Sequence, residues 1–179
     1  MSGGLRGVGL LLQGNMMNTF NINRIALQEE KLQFDRFDTT TAWAVGSRLK
    51  ALAEERGAAV AIDIQFHGQP LFFYAMAGAT PDNVDWIRRK RNVVLRYHRS
   101  SYAIGLELQQ SQTTLEERIA VSSRDYAPHG GCFPLNLKGT GCIGTITVSG
   151  LPQRLDHDMI VEVLAEFLGQ PLDELALEG

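Results

Sequence analysis

Alternating apolar and polar residues mark two pairs of segments along the chain. Residues 60–66 alternate strictly, and a second apolar run at 71–76 follows after a short His-Gly turn. Residues 133–137 and 143–148 repeat this arrangement around a glycine-rich turn, and the latter segment is rich in β-branched side chains. Alternation on both sides of a short turn is typical of a β-hairpin. The pattern therefore predicts two hairpins.

Apolar residues at helical spacing predict five helices around these strands. The helix after the first hairpin begins at Thr80-Pro81, where the missing N–H of proline costs nothing, and we expect it to reach Tyr102 or beyond. A capping box of Thr114 and Glu117 opens a short helix. The predicted helices cover residues 22–32, with a short strand after them, then 39–56, 81–102, 115–121 and 156–168.

The order helix, hairpin, long helix, hairpin, helix predicts an α+β fold, with helices packed beside an antiparallel sheet. A chain of 179 residues with 44% hydrophobic content is long enough for one sizeable core. The stretch before Met16-Met17 carries no such pattern. We therefore expect residues 1–16 to be a disordered upstream extension and residues 17–179 to form a single domain.

Charge and composition exclude several classes of protein. A net charge of −3 provides no basic field for nucleic acid. The apolar run at residues 8–12 is too short for a membrane span or a signal peptide. Cys132 and Cys142 do not have the spacing of a zinc site or of a secreted disulfide framework. We therefore expect a cytoplasmic protein with reduced thiols, no metal site, and neither nucleic-acid nor membrane partners.

The densest charge lies on the predicted long helix, where residues 88–91 are all cationic. Lys90 lies four residues from both Trp86 and Val94, so its ammonium falls on the face expected to be buried. A buried lysine requires a carboxylate, a ligand or a lowered pKa. Alternatively, the side chain reaches the rim of the core and the arginines form a solvated face.

A second candidate is the loop Pro128-His129-Gly130-Gly131, which precedes a predicted strand. The glycines would let a ligand approach the backbone closely, and His129 would serve as a metal ligand or proton carrier. The alternative is a turn that simply requires glycines.

A third candidate is Asp156-His157 at the start of the last helix. Acidic residues there cap free N–H groups and complement the helix dipole, so we interpret Asp156 as a cap. His157 is freer to reach a ligand, although a lone histidine in a first helical turn is more often a surface residue.

Several segments resemble the haem-degrading-domain family that includes HbpS and GlcG, within a branch of undefined activity. The matching text is Trp86–Asn92, His129–Pro134, Gly144–Gln153 and Asp156-His157, with Thr41–Trp43 upstream. The resemblance implies a profilin-like fold, with a central antiparallel sheet of about five strands flanked by helices. It also implies symmetric homo-oligomers.

The predicted function is that of an oligomer that binds a small anionic ligand, a carboxylate or a phosphate. Helix cations would supply the charge and the glycine loop would supply N–H donors. The small-residue face of the first hairpin, which no predicted segment covers, also favours self-association. The candidate ligand-binding residues are Lys90, Arg91, Asn92, His129, Gly130, Gly131 and His157.

Two alternatives stay open. In the first, the protein is a haem-binding or haem-degrading enzyme, in which His129 or His157 ligates iron and the basic cluster holds the propionates. The sequence contains no obvious pair of axial ligands, so we expect weak haem binding. In the second, the oligomer is a non-catalytic scaffold for other proteins.

Overall fold

The structure of the protein, a computed structural model, describes the backbone of residues 4–178 and side chains from residue 16 onward. Its strands form one five-stranded sheet in the order β1-β4-β5-β2-β3. The strands are β1 (Gln33–Phe34), β2 (Ala61–Phe66), β3 (Gln69–Ala75), β4 (Cys132–Leu137) and β5 (Gly141–Ser149). The helices are α1 (Gly4–Lys31), α2 (Thr39–Glu55), α3 (Pro81–Tyr97), α4 (Ser101–Gln110), α5 (Leu115–Ile119), α6 (Gln153–Leu168) and α7 (Leu172–Leu175).

The sheet is antiparallel except at one edge. The two predicted hairpins are β2–β3 and β4–β5, and β2 pairs with β5 to join them. The short strand β1 adds to β4 in parallel orientation. A central, mainly antiparallel sheet of five strands flanked by helices confirms the predicted α+β fold.

The two faces of the sheet are both buried but differ in chemistry. One face, which includes Ile62 and Ile146, packs against α2 and α6 and forms the main apolar core. The side chains that alternate with these are polar, and they include Asp63, Thr145 and Thr147, all nearly inaccessible to solvent. Because α3 packs across β2, β4 and β5 on that side, it must supply polar partners to the sheet.

The small-residue face of the first hairpin is therefore covered within the chain. Ala61 and Asp63 are buried, and Arg91 of α3 reaches Asp63. The expectation that this face lacks a covering segment was wrong, because the long helix folds back over it. Self-association stays a prediction that rests on other grounds.

The predicted long helix is in fact two helices. His98 adopts a left-handed conformation, with φ of 53°, and ends α3. The Ser100 hydroxyl then accepts the N–H of Ala103, 3.1 Å away, and caps α4. A left-handed residue ends a helix as a glycine commonly does, but histidine gives little warning of it in the sequence.

Helix α1 begins well before the predicted start at residue 22. Its bounds include residues 4–16, for which the sequence predicts disorder, whereas residues 1–3 and the side chains of residues 1–13 and 15 lie outside the described part of the chain. Whether this segment is dispensable stays a prediction. In the described residues, no helix combines the length and apolar character needed to cross a membrane.

Candidate functional site

Lys90 is buried between α3, β5 and α6, as its helical spacing predicts. Its residue exposure is 3%. The ammonium donates to Asp156 Oδ2 at 2.8 Å and to the Val148 carbonyl at 3.2 Å. The lysine therefore has an internal carboxylate partner and does not reach out to the rim of the core.

The interpretation of Asp156 as the cap of the last helix was wrong, because α6 begins at Gln153 with Pro152 as its N-cap and no side-chain cap hydrogen bond. The Asp156 carboxylate accepts the N–H of Leu151 at 2.9 Å, just before α6, and also pairs with Lys90. Burial raises the pKa of Asp156 above its usual value, while the neighbouring Lys90 ammonium and the backbone N–H groups oppose that rise. The result is a mutually neutralised, buried ion pair.

The predicted glycine loop wraps directly over this pair. Gly131 has φ of +114°, and a Cβ atom there would lie 2.6 Å from Lys90 Nζ and 2.8 Å from the Asp156 Cβ. A Cβ on Gly130 would collide with the Gln153 carbonyl. The two glycines thus allow the loop to approach Lys90 and α6 closely, which is the physical reason for glycine at both positions.

His129 is the second residue of this loop and is exposed to solvent. Its ring packs edge-on against Trp86, with 5.3 Å between the ring centroids. Partial burial, and then the charges of Lys90 and Arg89, lower the pKa of His129. The lowered pKa favours the neutral imidazole, whose unprotonated nitrogen can act as a ligand or accept a hydrogen bond.

Arg89 lies over the same indole ring. Its guanidinium carbon is 4.1 Å from the Trp86 ring centroid, and its Nε donates to Asp85 Oδ2 at 2.7 Å. The side chain is only 17% exposed. In the described part of the chain its two terminal NH₂ groups have no protein acceptor, so this fixed guanidinium can bind an anion.

Arg89 and His129 border a cleft of about 560 Å³. We call it the α4–α5 cleft, because α4, α5 and the loop at residues 120–129 form its walls. Its other walls combine aliphatic and aromatic side chains with polar ones: hydroxyls from Ser123, Thr113 and Thr114, amides from Gln109 and Gln153, and one acidic residue, Glu116. The apolar lining residues are Tyr102, Leu106, Leu108, Leu115, Val121, Tyr126, Ala127 and Pro128.

A smaller cavity of about 260 Å³ also borders His129. We call it the Lys90 cavity. His129 and Gln153 line both the cavity and the α4–α5 cleft, so the two spaces adjoin. Its remaining lining residues are Asp82, Asn83, Trp86, Lys90, Ser149, Gly150, Leu151 and Asp156.

Three of the predicted site residues, Arg91, Asn92 and His157, line neither the α4–α5 cleft nor the Lys90 cavity. Arg91 points to the polar sheet face, pairs with Asp63 at 3.1 Å and borders a separate groove beside β3. The Asn92 amide donates to the Asp125 carbonyl at 2.8 Å and holds the cleft loop. The structure therefore brings together Lys90, His129 and the glycine loop, but not Arg91 or Asn92.

His157 is also separate, and the expectation that it lies at the surface was wrong. Its exposure is 0%, and its Nε2 lies 2.8 Å from Gln28 Oε1. Burial lowers the pKa of His157 to about 3. It is a neutral core residue, because α1 and α4 cover the first turn of α6.

Sequence reasoning missed two residues that shape the site. Arg89 was grouped with solvated arginines, although its spacing from Trp86 and Asp85 within one helical turn indicates mutual contact. Gln153 gave no signal. Its Oε1 accepts the Gly130 N–H at 3.2 Å. Among the described residues, no cluster of three or more His, Cys, Asp or Glu side chains is arranged to hold a metal ion.

Comparison with known proteins places this architecture in a family. The family model for the haem degrading protein HbpS-like family matches residues 37–165. The chain belongs to the HbpS-like family. A "UPF0303 protein" of Azotobacter vinelandii is 59% identical over 159 residues, which cover 89% of this chain and 96% of that protein.

Two solved structures support the same fold. The Ybr137w protein superposes with a TM-score of 0.78 and 30% identity, over 83% of this chain and 87% of that one. A structure described as a PduOC:heme complex has a TM-score of 0.57 and 18% identity, over 68% and 87% of the two chains. The second likeness shows a shared fold alone.

Proposed function

We propose that this member of the HbpS-like family binds a small organic acid in the α4–α5 cleft. Its anionic group, a carboxylate or a phosphate, would bind Arg89, and its apolar body would fill the cleft. The observation that carries the proposal is the fixed guanidinium of Arg89 at the edge of a cleft with a partly apolar lining.

The physical case rests on how Arg89 is held. Stacking on Trp86 and the bond from Nε to Asp85 orient the side chain before a ligand arrives, so less rotamer entropy is lost on binding. The terminal NH₂ groups match the two oxygens of a carboxylate. The cleft volume of about 560 Å³ is within the range of pockets that enclose small-molecule ligands.

The location differs from that expected from the sequence, which placed the anion among Lys90, Arg91, Asn92, His129 and the glycine loop. In the folded chain the Lys90 charge is already matched by Asp156 at 2.8 Å. Arg89 shares the exposed Asp85 with Arg88, and Arg88 also pairs with Asp125. Asp85 thus divides its charge between two arginines, which leaves Arg89 the better anion receptor.

The test is calorimetric titration with hydrocinnamate and phenyl phosphate, which join an aromatic ring to a carboxylate or a phosphate. Arg89→Ala should weaken binding of the preferred probe by about tenfold or more, because a charge-assisted hydrogen bond contributes about 1.5–3 kcal/mol. Arg96→Ala is the matched control, since it removes an exposed arginine of the same helix that lines neither the cleft nor the Lys90 cavity. Equal losses in the two variants, or no binding of either probe to the wild type, count against the proposal.

Haem binding is the second candidate, favoured by the neutral imidazole of His129 on the cleft wall. The residues fit a haem held by one histidine: His129 would ligate the iron and Arg89 would bind a propionate. A bound haem would supply an iron centre for oxygen chemistry. His157 cannot supply a second ligand without opening the core.

Haemin titration tests this candidate. It predicts a stoichiometric Soret shift that His129→Ala abolishes and that His98→Ala, which changes an exposed histidine outside the cleft, leaves intact. A broad shift that survives His129→Ala indicates nonspecific binding and rejects the candidate.

A further inference from the structure

The Lys90 cavity adjoins the proposed ligand cleft but has a different chemistry. We infer that it is a second part of the same site, which accepts an uncharged oxygen group of the ligand, a hydroxyl or a carbonyl. This inference rests on the proposed function and narrows its ligand class to acids that carry such a group.

Charge excludes a second anion from the cavity. Lys90 and Asp156 neutralise each other at 2.8 Å. Asp82 also lines the cavity, and its carboxylate accepts the Trp86 indole N–H at 3.1 Å. An added carboxylate would therefore meet two carboxylates and only one cation, at a desolvation cost that the cavity does not offset.

Hydrogen-bonding capacity, in contrast, is left over. An ammonium group has three donors, and Lys90 uses two of them, on Asp156 and Val148. The side-chain oxygen of Gln153, Oε1, accepts the Gly130 N–H, which leaves the side-chain NH₂ of Gln153 as a further donor. The neutral imidazole of His129 adds an acceptor. A carbonyl oxygen needs the donors, and a hydroxyl can use both donors and acceptor.

Size supports a role as part of a larger site. The cavity, at about 260 Å³, is below the range of about 300–1,000 Å³ typical of pockets that enclose a whole ligand. The shared walls at His129 and Gln153 place it beside the cleft. One ligand can therefore present its anion to Arg89 and an oxygen substituent to the Lys90 cavity.

The experiment compares acids that differ only in that substituent. Hydrocinnamate has none, phenyllactate adds a hydroxyl, phenylpyruvate adds a carbonyl, and benzylmalonate adds a second carboxylate. Calorimetry on the wild type should show phenyllactate or phenylpyruvate binding about tenfold or more tightly than hydrocinnamate, equivalent to about 1.4 kcal/mol. Benzylmalonate should bind no better than hydrocinnamate.

The variant Lys90→Met/Asp156→Asn tests which residues create the preference. It removes both charges together, and the asparagine oxygen can still accept the Leu151 N–H. In this variant the ratio of the affinity for phenyllactate or phenylpyruvate to that for hydrocinnamate should fall to about one. The affinity for hydrocinnamate itself should change less than about twofold. Lys138→Met is the matched control, because Lys138 forms an exposed ion pair with Asp35.

Three outcomes overturn the inference: equal affinities of the wild type for hydrocinnamate, phenyllactate and phenylpyruvate, a preference that survives the double variant, or tighter binding of benzylmalonate. Each of them leaves the proposed function standing if hydrocinnamate binds through Arg89. Failure of the wild type to bind any of the four acids rejects the inference and the carboxylate form of the proposed function together.

Discussion

Replacing Lys90 with methionine tests whether the buried ion pair is structural. The change preserves most of the side-chain volume and removes the ammonium, so Asp156 loses its partner inside the protein. Its carboxylate would keep the backbone N–H groups of Leu151 and Gly150. We expect Lys90→Met to destabilise the fold at neutral pH.

The magnitude follows from burial. Both side chains are almost inaccessible, at 4% and 2% exposure, and removing one partner of such a pair costs about 3–5 kcal/mol. The pKa of Asp156 should rise further without the ammonium, so the loss should shrink as the pH falls and the carboxyl is protonated. Replacing both residues, as in Lys90→Met/Asp156→Asn, should recover most of the loss, because no uncompensated charge is left.

Urea unfolding of the wild type, both single variants and the double variant measures the coupling between the two residues. Lys138→Met, which breaks an exposed pair, should cost only about 0–1 kcal/mol. The reasoning fails if Lys90→Met is as mild as this control, or if the effects of the two single changes simply add in the double variant.

Three further predictions concern the rest of the chain. The free energy of unfolding should fall as the pH drops from 6.5 to about 3, because His157 binds a proton in the unfolded chain but, with a pKa of about 3, not in the folded protein. His157→Gln should flatten the curve of unfolding free energy against pH in this range. An unchanged slope would contradict the assignment of His157 as a buried, neutral residue. Deleting residues 1–16 should leave the melting temperature unchanged, whereas a fall of several degrees would mean that the segment packs on the domain. Light scattering at micromolar concentration should return a multiple of 19.8 kDa, and a monomer mass at every concentration would refute self-association.

Much of the fold could be predicted because its signals are local. Alternation at 60–66 and 143–148 and the apolar stripe at 156–168 each lie within one element, and the structure has a strand or helix at each place. The break between α3 and α4 could not be predicted in the same way. It depends on a left-handed His98, while apolar periodicity continues on both sides of it.

The site was only partly predictable, because its contacts join distant segments. The helical spacing of Lys90 indicates burial, but its partner Asp156 lies 66 residues away and could equally be a helix cap. His157 has the local setting of a surface residue, yet Gln28 of α1 covers it from 129 residues away. Arg89 becomes a candidate receptor only when the loop at 120–129 folds beside it.

The most direct test of the ligand cleft is a crystal structure of the protein grown with hydrocinnamate. The account predicts the carboxylate within hydrogen-bond distance of the Arg89 terminal nitrogens, with the phenyl ring among Tyr102, Leu106 and Tyr126. A carboxylate bound instead at Lys90, or in the groove beside Arg91, would contradict it.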